Sequence, residues 1–240
     1  MKIFVGDSYE AMSRQAMGDT LALTEALKNP VLCTASGDTP AGLYKELASE
    51  VHQKKIDISG WYFVGLDEWL GMNGDDEGSC RFHLNNQLFN PLGVASDRIS
   101  FFDGRAREPG EECENVEAFI REHGGITVAV LGLGMNGHVG MNEPGSSLAL
   151  RSHVTDLASE TKITGQKYFK KEQELSKGIT LGLTTIMECD NIFLLVSGQH
   201  KAAIVKRVLE GEISEDVPAS LLRRHTGLRM FLDKEAAALL

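Results

Sequence analysis

Four short stretches of the sequence carry side chains suited to handling a small polar substrate. Asp67 and Glu68 stand together directly after the run YFVGL, where a carboxylate can serve as a general base or a metal ligand. Successive residues of an extended chain point to opposite sides, so one of the two is expected to face a pocket. His138 and Glu143 share the irregular stretch GLGMNGHVGMNEPG. There the imidazole suits proton transfer near neutral pH and the carboxylate can orient it. Ser36, Gly37, Asp38 and Thr39 lie between the run PVLCTA and Pro40. Small residues between a buried strand and a helix start leave backbone N–H groups free for an anion, and the helix dipole favours it. Lys201 follows NIFLLVSGQH in the first turn of the next helix, where a cation opposes the dipole unless an anion accompanies it.

Each stretch also has an ordinary structural reading, which the residues alone leave open. Ser36 to Thr39 make a capped turn, Asp67 and Glu68 make solvated acids, and Lys201 can swing into water. The run Gly132 to Gly137 spells GxGxxG after a strand, with Asp156 near the spacing of a ribose-binding acid. Gly140, Pro144 and Gly145 interrupt the helix that such a fingerprint must open, so a nicotinamide enzyme stands only as an alternative. No GxxxxGK[ST] is present, and no spacing among His52, His83, His123, His153, His200 and His225 suggests a metal site.

Something must hold these stretches at strand ends, and the apolar pattern says what. Strands are predicted over 2–6, 30–35, 61–66, 126–131, 179–183, 191–196 and 228–232, with helices over 9–28, 40–51, 81–88 and 200–210 and a short terminal helix. Leu43, Leu47 and Val51 recur at helical spacing behind Pro40, which suits a first helical turn. Runs such as VLCTA, ITVAVL and IFLLV do not alternate, as expected of strands covered on both faces. Residues 73–78 and 103–114 are expected to be surface loops. The expected fold is α/β: a single domain over 1–240 with a Rossmann-like, open, mostly parallel sheet and helices on both faces. Ligands gather at the carboxyl ends of such strands.

The chain has 240 residues, 42% of them hydrophobic and 24% charged, which suits one sizeable core. Its formal net charge of −10 disfavours a broad nucleic-acid or anionic-membrane surface but not a pocket for one phosphate. No apolar run approaches the ~18 residues of a membrane span, and the stretch before Asp7 is too short for a signal peptide. Cys33, Cys80, Cys113 and Cys189 form no CxxC pair and are expected to be free thiols in a reducing cytoplasm.

Taken in order, SGDTPAGLY, DEW, LGLGMNGHVGMNEPGSS, GITLG and SGQHKA resemble the glucosamine-6-phosphate deaminase family, whose relatives include the 6-phosphogluconolactonases. The NGHxxxNEPGSS block resembles the amino-sugar deaminases rather than the lactonases. Asn136 stands where the glucosamine enzymes generally carry an Asp that supports the histidine, and Trp69 where they carry Tyr. In both the chain looks like the galactosamine-6-phosphate isomerase or deaminase branch.

The resemblance implies deamination and isomerisation of glucosamine 6-phosphate or galactosamine 6-phosphate without cofactor or metal. Asp67 would be the base at C2 and C1, His138 would assist ring opening, and Glu143 would be its partner. Asn136 would accept a hydrogen bond from the imidazole ring. Ser36, Gly37, Asp38, Thr39 and Lys201 would hold the phosphate, with Lys167 near the position of an Arg that serves it. The expected partner is a small sugar phosphate and the expected assembly a monomer or small homo-oligomer. A lactonase-type hydrolase and a non-catalytic sugar-phosphate sensor are the alternatives.

Overall fold

The computed structural model describes all residues, Met1–Leu240. Ten strands occur in the order β1 (Lys2–Gly6), β2 (Val31–Thr34), β3 (Tyr62–Gly65), β4 (Asp67–Trp69), β5 (Ile99–Ser100), β6 (Val128–Gly132), β7 (His153–Asp156), β8 (Lys177–Thr180), β9 (Asn191–Val196) and β10 (Leu228–Asp233). Seven form one sheet in the order β1-β10-β9-β6-β2-β3-β5, every neighbour parallel. β4, β8 and β7 form a smaller antiparallel sheet.

The non-alternating runs are buried on both faces. Val31, Cys33, Ala129, Leu131, Ile192 and Leu194 point into one apolar cluster, while Leu32, Val128, Val130, Phe193 and Leu195 point into a second. The first cluster is closed by helices Pro109–Glu122 and Ala202–Glu210, the second by Tyr9–Thr24 and Asp38–His52. On Asp38–His52 the inward stripe is Leu43, Tyr44, Leu47 and Ala48, all buried. Each fully buried leucine contributes about 1.5–3 kcal/mol relative to exposure.

The strand order sets the position of the site. From β2 the chain adds β3 and β5 outward on one side, then returns to place β6 on the other side and continues through β9 and β10. The order therefore reverses between β2 and β6, where a crevice opens at the carboxyl ends of the strands. Ser36 to Thr39 follow β2, and the GLGMNGH stretch continues from β6.

Several elements depart from the sequence reading. The segment expected as a loop over 103–114 instead leads into helix Pro109–Glu122, whose Cys113, Val116 and Ile120 are buried on one face. The helix expected over 81–88 is an α-turn, Cys80–Leu84, running into a π-turn, Asn85–Phe89, and closing at Gly93 in the left-handed conformation. The helix expected over 9–28 stops at Thr24, and residues 234–239 form turns rather than a terminal helix. The strand expected over 179–183 lies at Lys177–Thr180, and Leu183–Met187 is helical. No helix is long and apolar enough to cross a membrane.

Candidate active site

A cleft of about 670 Å³ opens at the reversal of strand order, lined by Ser36, Gly37, Asp38, Thr39, Asp67, Asn136, His138, Lys167 and Lys201. Glu143 is the one sequence-predicted residue outside that lining; it is buried beneath His138, with its Oε2 3.4 Å from the ring Nδ1.

The stretch from Gly132 to Gly137 does not open a helix but folds as a turn, with the Gly134 N–H bonded to the His138 carbonyl at 2.9 Å and Gly137 at φ +91°. A side chain at Gly134 would run into the imidazole, so the ring packs over bare backbone. The nicotinamide alternative lacks its required helix, and Asp156 lies on β7 with its exposed carboxylate facing Lys177.

Asn136 corrects the sequence reading in one respect. Its Oδ1 accepts the backbone N–H of His138 at 3.1 Å, not the ring, and its Nδ2 donates to Glu143 Oε2 at 2.9 Å. The backbone donor fixes which end of the amide is which, because only the oxygen can accept it. Glu143 also receives the Ala158 N–H on Oε1 at 3.2 Å. Burial raises the Glu143 pKa, but His138, Thr161 and Asn136 outweigh it and bring it down to about 2. Glu143 is therefore ionised throughout the neutral range.

Asp67 and Glu68 divide as the alternation of an extended chain requires. Glu68 is fully buried and accepts three backbone N–H groups, from Trp69 and Cys80 at 2.8 Å and Arg81 at 2.9 Å, which caps helix Cys80–Leu84 from outside. Asp67 lines the cleft instead. Burial lifts its pKa to about 6, partly offset by a hydrogen bond from the Cys80 thiol and by His138. A carboxyl group tuned close to neutral is suited both to accept and to return a proton.

The same cleft lining also carries two lysines and the start of a helix. Helix Asp38–His52 has no side-chain cap at its start, Gly37 sits at φ +117°, and Pro40 has no N–H. The first-turn amides of Asp38 and Thr39 are thus left as orphan donors. Tyr9 fixes this turn by accepting the Gly42 N–H and donating to the Asp38 carbonyl, both at 2.7 Å. Lys201 reaches into the cleft and donates to the Leu133 carbonyl at 2.5 Å, and burial and Lys167 lower its pKa to about 8. Lys167 pairs with the Asp38 carboxylate at 2.8 Å. Two lysines and a helix start converging on one patch suit a dianionic phosphate. The Asp38 side chain, mostly exposed, opposes that anion, so only its backbone can serve in the role expected of it.

The family model described as glucosamine-6-phosphate isomerases/6-phosphogluconolactonase matches residues 8–231. The chain belongs to this glucosamine-6-phosphate isomerase/6-phosphogluconolactonase family. A glucosamine-6-phosphate deaminase of Clostridium perfringens is 37% identical over 244 residues, covering the whole of both chains. The solved structure of a monomeric glucosamine-6-phosphate deaminase has a TM-score of 0.96 at 34% identity, again over the full length of both. A 6-phosphogluconolactonase of Trypanosoma brucei shares the fold, with a TM-score of 0.77 at 22% identity over 100% of this chain and 98% of that one.

Within this member of the isomerase/lactonase family, two cleft residues carry no signal in the sequence. Cys80 is buried in the cleft wall that Ser36 and Asp67 also line, and burial holds its thiol protonated. Thr161 is buried on helix Ser159–Gly165 with its hydroxyl 3.1 Å from His138 Nδ1. Neither stands at the carboxyl end of a parallel strand, where an open α/β sheet gathers its ligands. The Cys80 position follows from its capping by Glu68, a contact that spans twelve residues.

Proposed function

We propose that this chain isomerises and deaminates a 2-amino-2-deoxyhexose 6-phosphate to a ketose 6-phosphate and ammonia. One observation carries the reading: a near-neutral carboxyl, Asp67, and a carboxylate-backed imidazole, His138, line one cleft with an uncapped helix start and two lysines. Full-length similarity to glucosamine-6-phosphate deaminases supports it.

In this reading the phosphate lies against the amides of Asp38 and Thr39 with Ser36, Gly37, Lys167 and Lys201 around it. His138 moves the proton that opens the pyranose ring. The open form has a C2 proton beside its own C1 carbonyl, so no electron sink beyond the substrate is required. Asp67 takes the C2 proton and returns it to C1 while O1 gains the proton that the nitrogen gives up, which leaves an alcohol at C1 and an imine at C2. Water adds to that carbon, the C–N bond breaks, and ammonia departs.

The finer reading is that galactosamine 6-phosphate is the preferred substrate, supported by Asn136 and Trp69 standing at positions where the glucosamine enzymes carry Asp and Tyr. The partner is this small sugar phosphate, with no nucleic acid or membrane. The similarity to a deaminase described as monomeric supports a monomer or small homo-oligomer. Four buried free thiols suit a cytoplasmic setting.

The test is ammonia release from glucosamine 6-phosphate and galactosamine 6-phosphate, with 6-phosphogluconolactone hydrolysis measured alongside. Ammonia from either amino sugar is the expected result, faster from the galacto epimer. Hydrolysis of the lactone alone makes the chain a hydrolase, and binding without turnover makes it a sensor.

A further inference from the structure

Two oxygens approach the Nδ1 of His138. Glu143 Oε2 lies at 3.4 Å and Thr161 Oγ1 at 3.1 Å, while Nε2 has no protein partner. A neutral imidazole carries one proton on one of its two nitrogens, and its neighbours decide which. Glu143 is an acceptor only, and its Oε2 already receives the Asn136 amide. The Thr161 hydroxyl has one hydrogen and two lone pairs. At 3.1 Å it can accept a hydrogen bond from a protonated Nδ1 through one of those lone pairs. A proton on Nδ1 therefore meets an acceptor on both sides, whereas a bare Nδ1 would set its lone pair against the carboxylate 3.4 Å away.

We propose that Thr161 is a positioning residue that, together with Glu143, locks His138 in the Nδ1–H tautomer and leaves Nε2 as a free base in the cleft. The proposal rests on the amino-sugar reading above for what that base acts on. Nε2 takes the proton of the anomeric O1–H as the C1–O5 bond breaks. The O1 electrons form the C1=O1 bond, the C1–O5 pair passes to O5, and the imidazolium returns the proton there. With the proton on Nε2 instead, the ring offers a donor where the step begins with an acceptor. Thr161 reaches this position from a buried place on helix Ser159–Gly165, directly before the turn Gln166–Tyr168 that carries Lys167. One segment therefore supplies both the orienting hydroxyl and a cation of the anion end.

The test uses Thr161→Val, which keeps the branched shape without the hydroxyl, and Thr161→Ser, which keeps the hydroxyl. Imidazole nitrogen shifts and two-bond proton couplings of ¹⁵N-labelled protein read the His138 tautomer without any substrate. The parent and Thr161→Ser are expected to show Nδ1–H, and Thr161→Val a mixture. Turnover of Thr161→Val is expected to fall about tenfold with KM within about twofold, and Thr161→Ser to remain within about twofold of the parent. An unchanged tautomer in Thr161→Val, or a Thr161→Ser variant as impaired as the valine, overturns the proposal. A parent that releases no ammonia from either sugar overturns the amino-sugar reading instead, and the nitrogen shifts still decide the role of Thr161.

Discussion

Asn136 and Glu143 are joined by a hydrogen bond of 2.9 Å from amide to carboxylate, with the amide turned by the His138 backbone N–H on its other end. A neutral amide thus serves the buried carboxylate as a donor, which an ionised Asp in the same place cannot do. The Asn136→Asp variant would set a second carboxylate against Glu143, and two such groups cannot both stay ionised at ordinary cost. The cluster of the introduced carboxyl group, Glu143 and His138 then takes up a proton more readily, as a shared carboxyl proton or as imidazolium. The acid limb of the pH–rate profile is expected to move to higher pH. Stability is expected to fall by about 1–2 kcal/mol at pH 8 and less at pH 5. Paired pH–rate profiles and thermal melts at the two pH values check this. An unmoved limb in a folded variant would mean that Asn136 is not coupled to the histidine.

Asp67 gives a prediction in which activity and stability move in opposite directions. Its folded pKa of about 6 lies above the ordinary aspartate value of 3.8. The native state therefore holds the proton more tightly than the unfolded chain, and ionising Asp67 costs stability as pH rises through that interval. Asp67→Asn is expected to lower turnover by about 10²-fold or more. It is also expected to raise stability by up to about 3 kcal/mol above pH 7, at ~1.4 kcal/mol per unit of pKa, and by nothing near pH 3.5. Denaturant melts at both pH values, with turnover at pH 7.5, check both halves.

Much of this arrangement is legible in the residues, and the rest is hidden for physical reasons. The central strands announce themselves because burial on both faces demands continuous apolar runs, and the positions after them are where an open α/β sheet gathers its ligands. β4, β7 and β8 are three or four residues long and mix polar with apolar side chains, so DEW, HVTD and KGIT carry little strand signal. Helix Pro109–Glu122 is obscured by its acidic residues. One of them, Glu117, is buried because Ser152 and Thr185 from distant segments bond to it. At the site, the sequence points to Asn136 but not to its contacts, since a side-chain amide can face a ring or a backbone at the same spacing. Thr161 lies twenty-three residues from His138, and only the tertiary fold brings the two together.

If Lys201 holds the phosphate as proposed, substrate binding is expected to be sensitive to alkaline pH. Burial and the neighbouring Lys167 bring its pKa down to about 8, so the free enzyme loses this charge above that value. The expected result is a fall in kcat/KM above about pH 8, carried by KM. Lys201→Arg, which stays charged throughout, is expected to flatten that limb even if its longer fork weakens binding overall. Lys201→Ala is expected to raise KM about 10–100-fold, the value of a charge-assisted hydrogen bond of about 1.5–3 kcal/mol. Inorganic phosphate is expected to compete with substrate. Calorimetry showing the alanine variant bound to the sugar phosphate as tightly as the parent would place the phosphate elsewhere.

The pair between Lys167 and Asp38, 2.8 Å apart, yields a variant expected to bind better than the parent. The Asp38 carboxylate occupies Lys167 at the place assigned to the phosphate and adds a negative charge beside it. Both partners are substantially exposed, at 49% and 75% of the side chain, so solvent keeps their attraction small. An exposed pair is worth about 0–1 kcal/mol, which converts to at most about a fivefold change in affinity. Asp38→Asn keeps the backbone N–H at the helix start, removes the competing charge and frees Lys167. KM for the sugar phosphate is therefore expected to fall by about two- to fivefold with little change in kcat, and the gain is expected to shrink in high salt as the charges are screened. Kinetics of parent and variant at low and high ionic strength measure this. A KM that rises instead would show that Asp38 holds Lys167 in its working position, and that the carboxylate is part of the anion site rather than a competitor for it.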